Sequence, residues 1–162
     1  MITFREAKNS EDEILKDLLA ELQEYEKQFE PYYRPGTEVS AEYLAYIRRE
    51  CAEHDGKIIV ALDDQKIVGF ICVWRGELLD QYVSESIEIG YISDLIVTNA
   101  YRKQGVGSQL IAQAEEYAHQ KKLRMLKIGS LSRNTDSKEL YRKLGYLDFS
   151  VQLVKDFSQK RV

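Results

Sequence analysis

Two cysteines, two histidines and two prolines in 162 residues leave several kinds of chemistry without material. His54 and His119 stand far apart in the chain, so no His/Cys spacing assembles a zinc site, and no metal is expected. Cys51 falls on a helical apolar pattern and Cys72 on a strand-like one. Both read as buried thiols rather than as a disulfide or as nucleophiles beside a histidine base. No apolar run approaches the ~20 residues of a membrane span, and Met1-Ile2-Thr3-Phe4-Arg5 lacks the basic segment and apolar core of a secretory signal. A cytoplasmic protein without membrane attachment is the expectation. Positive charge is not in excess either: 23 Lys and Arg stand against 27 Asp and Glu, a formal net charge of −4. A basic face for nucleic acid is therefore not expected, and a cationic amine is the more natural partner. With so little proline and no low-complexity run, residues 1–162 read as one domain without linker or tail.

The apolar residues that are present recur with alternating periods. Ile2 to Ala7 predicts a strand. Ser10 and Glu13 read as a capping box before Leu15, Leu18, Leu19 and Leu22, whose spacing predicts a helix to about Phe29. Two prolines and a glycine in 30–36 break that pattern. Ser40 reads as the cap of a second helix with Leu44, Ile47 and Cys51 on one stripe. Ile58 to Leu62 and Ile67 to Trp74, joined by the polar Asp63-Asp64-Gln65-Lys66, read as a hairpin, and Ile87 to Val97 as a longer strand. A helix to about Gln120 places Leu110, Ile111, Ala114, Tyr117 and Ala118 on one face. A strand Met125 to Gly129, a helix Asp136 to Leu144 and a final strand near Phe149 to Val154 complete the pattern, with no internal repeat.

Between the long strand and the helix that follows it lies Arg102-Lys103-Gln104-Gly105-Val106-Gly107. A glycine-rich turn in that position leaves backbone N–H groups of Gln104, Gly105, Val106, Gly107 and Ser108 aimed at one point, where the helix dipole adds positive charge. Glycine admits positive φ and keeps side chains out of an anion's way, and Arg102 and Lys103 add charge beside it. The segment therefore reads as a pyrophosphate cradle. A nucleotide P-loop is excluded because Ser108 and Gln109, not Lys and Ser/Thr, follow the second glycine. A dinucleotide fingerprint is opposed by Leu110 in place of a third glycine and by a next strand ending in Gly129-Ser130 rather than in an acid.

The remaining pattern, Arg or Gln, two residues, Gly, one residue, Gly or Ala, resembles the acetyl-CoA pyrophosphate loop of the GNAT superfamily of N-acetyltransferases. Leu95-Ile96-Val97 matches that superfamily's Leu-x-Val before the loop. Asn134, Tyr141, Gly145 and Tyr146 stand in the familiar order after it, and Ile67-Val68-Gly69-Phe70 supplies an upstream strand. The likeness spans roughly residues 58 to 154. It implies an α/β domain of the α+β type, with a mixed, mostly antiparallel central sheet flanked by helices and two parallel strands splayed apart at the cofactor site. It also implies acetyl-CoA as co-substrate, its pantetheine arm paired along Leu95, Ile96 and Val97, its thioester carbonyl polarised by a backbone N–H near Ile96, and contacts from Asn134, Ser137 and Tyr141. Tyr141 would be the general acid that protonates the departing thiolate. A homodimer is implied as the form to test.

The base is not given by the resemblance. An alkyl amine with pKa of about 10.4 is neutral in fewer than ~1 in 1,000 molecules at pH 7, so a strongly basic acceptor needs one. Where relatives carry a glutamate, this chain has Ser93 or Ile89. Glu88 and Asp94 are the nearest acids on that strand, on one face by period-two counting, and are the candidates for direct or water-mediated proton removal. Glu30, Tyr32 and Tyr33 lie in the loop that shapes the acceptor pocket in the superfamily. The reaction expected is direct acetyl transfer to a primary amine of a small molecule or peptide. The alternative is a non-catalytic acyl-CoA-binding module in which the cradle is intact and the acceptor site unproductive.

Overall fold

The computed structural model describes residues 1–78 and 87–157. Five strands, β1 (Ile2–Glu6), β2 (Lys57–Asp63), β3 (Lys66–Leu78), β4 (Ile87–Val97) and β5 (Met125–Ile128), form one sheet in chain order. The first three pairings are antiparallel and β4–β5 is parallel, so the sheet is mixed and mostly antiparallel. Helices α1 (Asp12–Lys27) and α2 (Gly36–Glu53) cover one face, α3 (Val106–Gln120) covers the other, and α4 (Thr135–Lys143) follows β5. Strand alternation divides the core accordingly. Leu15, Leu18, Leu19, Leu44 and Ile47 pack on Val60, Phe70 and Ile96. On the far side Leu110, Ile111, Ala114 and Tyr117 pack on Ala61, Val68, Ile71 and Ile92.

Four local readings change. The cap before α1 uses Glu11, whose carboxylate accepts from Lys8 N–H at 2.8 Å and pairs with Arg5, and not the Ser10/Glu13 box. Helix α2 starts at Gly36, one turn before Ser40, because Gly36 N–H finds Glu24 at 2.7 Å; Ser40 is buried inside the helix. A side chain at Gly36 would stand 2.4 Å from Ala20 O, so the α1–α2 crossing is set by glycine. The predicted last strand is absent: residues 147–156 belong to no regular element, and Leu147, Val151 and Leu153 are exposed. The fourth change is in β4. Register shifts between Cys72↔Asp94 and Val73↔Ile92, leaving Ser93 as an extra residue. This bulge reverses the parity of the strand. Glu88 and Asp94 are therefore on opposite faces, not on one. Cys51 and Cys72 are free, with sulfurs 3.4 Å apart on the α1/α2 face; Cys72 is buried, as read, whereas Cys51 is half-buried and packs against the core.

Candidate active site

Pairing between β4 and β5 stops at Ile92 and Ile128, while β4 runs on to Val97. The strands part there, and a cleft of about 1200 Å³ opens between α1 and α2 on one side and α3 and α4 on the other. Thr98 N–H donates to Val68 O at 2.9 Å, and Ile96 sits opposite Phe70 in the same ladder. Alternation then turns the amide of Ile96 toward β3 and those of Leu95 and Val97 toward the open side. Leu95 and Val97 are thus the backbone donors at the open strand edge, one on each side of Ile96.

At the end of that edge the chain winds through two left-handed residues, Lys103 (φ 58°) and Gly105 (φ 84°), before α3 begins. The first intrahelical bond is Gln109 N–H to Gly105 O at 3.1 Å, so the N–H groups of Val106, Gly107 and Ser108 have no partner within the helix, and no side chain caps them. Gly105, Gly107 and Ser108 line the cleft. A Cβ at Gly105 would meet nothing nearer than Gln109 Nε2 at 3.9 Å, so the space over the turn is open. Val106 is buried in the core and the Gln104 side-chain amide is spent on Ala100 O at 2.8 Å; neither residue, though read as part of the cradle, lines the cleft. The Arg102 guanidinium is anchored from three sides: Nε donates to Val97 O at 2.8 Å, Nη2 meets Glu21 at 3.1 Å, and the group lies 4.5 Å above the Tyr25 ring. Glu21 also accepts from Thr98 Oγ1 and Asn99 N–H, which ties α1 to the turn. Lys103 pairs with Asp136 at 3.1 Å on the exposed rim.

Helix α4 supplies the opposite wall. Asn134 is buried and caps the helix, its side chain accepting from Ser137 N–H at 3.2 Å. Asn134, Ser137 and Tyr141 all line the cleft. Burial, opposed by the Ser137 hydroxyl, pushes the Tyr141 phenol up to about 12, so it is protonated at neutral pH.

The acids separate. Glu88 is exposed, paired with Arg75, and outside the cleft. Asp94 is 5% exposed and lines it, accepting from Ser93 Oγ at 2.6 Å and from Tyr43 Oη at 3.2 Å. Burial raises the Asp94 carboxyl to about 6, and the two hydrogen bonds oppose the rise. Tyr33 and Tyr32 also line the cleft, Tyr32 donating to Asp156 at 2.9 Å. The cleft thus has donors and a helix start at one end and a buried acid with tyrosines at the other. Such a shape can take an anion at the helix, an extended amide-bearing arm along the strand edge, and a basic group beside Asp94.

Beside Tyr25 and Tyr43, which the sequence reading left out, two acids also absent from it belong to this site, Glu21 and Glu26. Each was visible only as an acid on the first helix, although Glu26 continues the stripe of Leu15, Leu18, Leu19 and Leu22 by one more turn.

The profile of the Acetyltransferase (GNAT) family matches residues 16–146, and the chain belongs to that family. It is similar to the uncharacterised N-acetyltransferase YhfO of Bacillus subtilis (strain 168), with 25% identity covering 90% of this chain and 89% of that one. Among solved structures it resembles a mutant of the BH1408 protein of Bacillus halodurans, with TM-score 0.82 and 19% identity over 96% of this chain and 99% of that one. It also resembles a predicted acetyltransferase of Clostridium acetobutylicum, solved with acetyl-CoA, with TM-score 0.74 and 15% identity over 98% and 97% of the two chains. Among the described residues no group of three or more His, Cys, Asp or Glu side chains is arranged to hold a metal, and no helix is long and apolar enough to cross a membrane.

Proposed function

We propose that this chain transfers the acetyl group of acetyl-CoA directly to a primary amine, and that the cleft is where it does so. The observation that carries the reading is the continuous line from the unpaired first-turn amides of α3, along the open edge at Val97 and Leu95, to buried Asp94, with Tyr141 on the facing wall. Family membership supports the acetyl donor.

In this reading the N–H groups of Val106, Gly107 and Ser108 hold the pyrophosphate, and Arg102, clamped by Glu21, keeps the turn in shape. The Leu95 amide pairs with the arm and polarises the thioester carbonyl. Asn134 keeps its cap and adds a contact through its amide nitrogen, while Ser137 flanks Tyr141. The Tyr141 hydroxyl gives its proton to the departing thiolate from the facing wall of the cleft. Cys72 lies in the core, Cys51 packs against it, and neither lines the cleft, which supports transfer without an acyl-enzyme.

Calorimetric titration with acetyl-CoA, followed by thiol release across an amine panel, tests this. Binding with release for one amine class is expected. Binding with no release from any amine would leave a carrier-binding module, and no binding would overturn the cradle.

A further inference from the structure

The position of Glu26 is not explained by packing. It follows Leu22 on the core-facing stripe of α1, where an apolar residue would continue the pattern, and it lines the cleft. Tyr33, on the segment after α1, Asp94 on β4 and Tyr141 on α4 line the same cleft. Three further parts of the chain thus share that space with this acid. Burial and the Asp94 charge, in that order, both raise its pKa, and no partner lowers it. The basic side chains that line the same cleft are engaged elsewhere or at its rim. Arg34 meets Glu38 at 3.5 Å, Arg102 meets Glu21, Lys103 meets Asp136, and Lys143 is exposed near the end of α4. Tyr43 and Tyr91 complete the surroundings of Asp94, with the Tyr91 ring 5.4 Å from Trp74.

Taking acetyl transfer to an amine as the reaction, the geometry points to Glu26 and Asp94 as a paired-carboxylate seat for the ammonium of a primary alkylamine that has no carboxylate beside it, with Glu26 as the proton acceptor. Two half-buried or buried acids in one cavity repel when both are ionised, and a bound cation relieves that repulsion. The same field rejects zwitterionic amino acids, whose α-carboxylate would add a third negative charge among tyrosine faces that favour cations. Protons and bonds balance. The bound ammonium gives one proton to Glu26, and its nitrogen forms the N–C bond as the C–S bond breaks. The thiolate takes the Tyr141 proton, Tyr141 recovers the second amine proton, and Glu26 releases the first to solvent.

The test uses matched acceptors that differ by one carboxylate, tyramine against tyrosine and phenethylamine against phenylalanine, with wild type, Glu26→Gln and Glu26→Asp. Wild type should favour the decarboxylated member of each pair by roughly tenfold or more, the effect of one 1.4 kcal/mol interaction. Glu26→Gln should lose about 100-fold or more in kcat/KM for the amine, flatten the acid limb of the pH profile, and leave acetyl-CoA affinity unchanged; Glu26→Asp should recover part of the rate. Circular dichroism melts confirm that each variant is folded. An active wild type that uses amino acids equally well, or a Glu26→Gln enzyme with unaltered kcat/KM and pH profile, would overturn this inference while leaving acetyl transfer standing. A wild type that binds acetyl-CoA but releases no thiol with any amine would instead sink the reading on which it rests.

Discussion

Tyr146 donates its backbone N–H to the carbonyl of Tyr141 across 3.0 Å, and the two rings stand 6.2 Å apart. Gly145, at φ 90°, donates to Arg142 O at 3.0 Å in the same turn. Together these are a Schellman cap on α4, with the accompanying contact between the residue after the glycine and the last turn of the helix. The spacing Tyr-x-x-x-Gly-Tyr is therefore a device that fixes the helix end from which Tyr141 faces the cleft.

Replacing Gly145 by alanine should lower stability by about 1–2 kcal/mol, because a Cβ opposes the left-handed conformation. A Cβ there would meet nothing within 4 Å, so the cost is conformational and not steric. Thermal melting measures it. Turnover should fall more than acetyl-CoA affinity, since the cap orients Tyr141 and not the cradle.

Tyr141→Phe removes the proton donor and keeps the ring. We expect kcat to drop by roughly 100-fold, the lower range for a positioned acid, with the acetyl-CoA Kd nearly unchanged. Unaltered turnover would refute the acid role.

The cradle distinguishes size from charge. At Gly107 a Cβ would sit 3.6 Å from Leu140 Cδ2 and 3.9 Å from Val97 Cγ2, ordinary contact, so Gly107→Ala should still bind acetyl-CoA. Gly107→Glu places a carboxylate among the free amides and should abolish binding. Calorimetry with both variants checks the pair, and retained affinity in Gly107→Glu would count against the anion site.

Asp94 has its folded pKa raised to about 6 by burial, above the ordinary ~3.9 of the unfolded chain. The folded state then binds the proton more tightly, so this group's contribution is most favourable below about pH 4 and is lost as pH rises through about 6. Asp94→Asn should raise the melting temperature relative to wild type at pH 7.5 and leave it nearly equal at pH 4. Activity should move the opposite way, with the variant slower at pH 7.5.

Much of this was legible because it is local. The strand-turn-helix around Gly105 carries its own signals, positive φ at glycine and a helix start, and each is encoded within a few residues. The β2–β3 hairpin and the apolar stripes of α1 and α3 are likewise set by period. The last strand was misread for the same reason: Phe149 to Val154 has the alternation of a strand, but a strand needs a partner, and period does not supply one. Ser40 was misread as a cap because the bond from Gly36 N–H to Glu24 spans two helices.

The class of fold, the glycine turn before α3 and the place of Tyr141 on α4 were readable from residue type at short spacing. Which carboxylates meet the cleft became visible only in the folded chain. A single bulge at Ser93 turned Asp94 inward and left Glu88 with Arg75, and the packing of α1 on β4 put Glu26 on the same cleft as Asp94. Charge–charge and burial effects act through space over a few ångströms, whereas Glu26 and Asp94 lie some seventy residues apart along the chain.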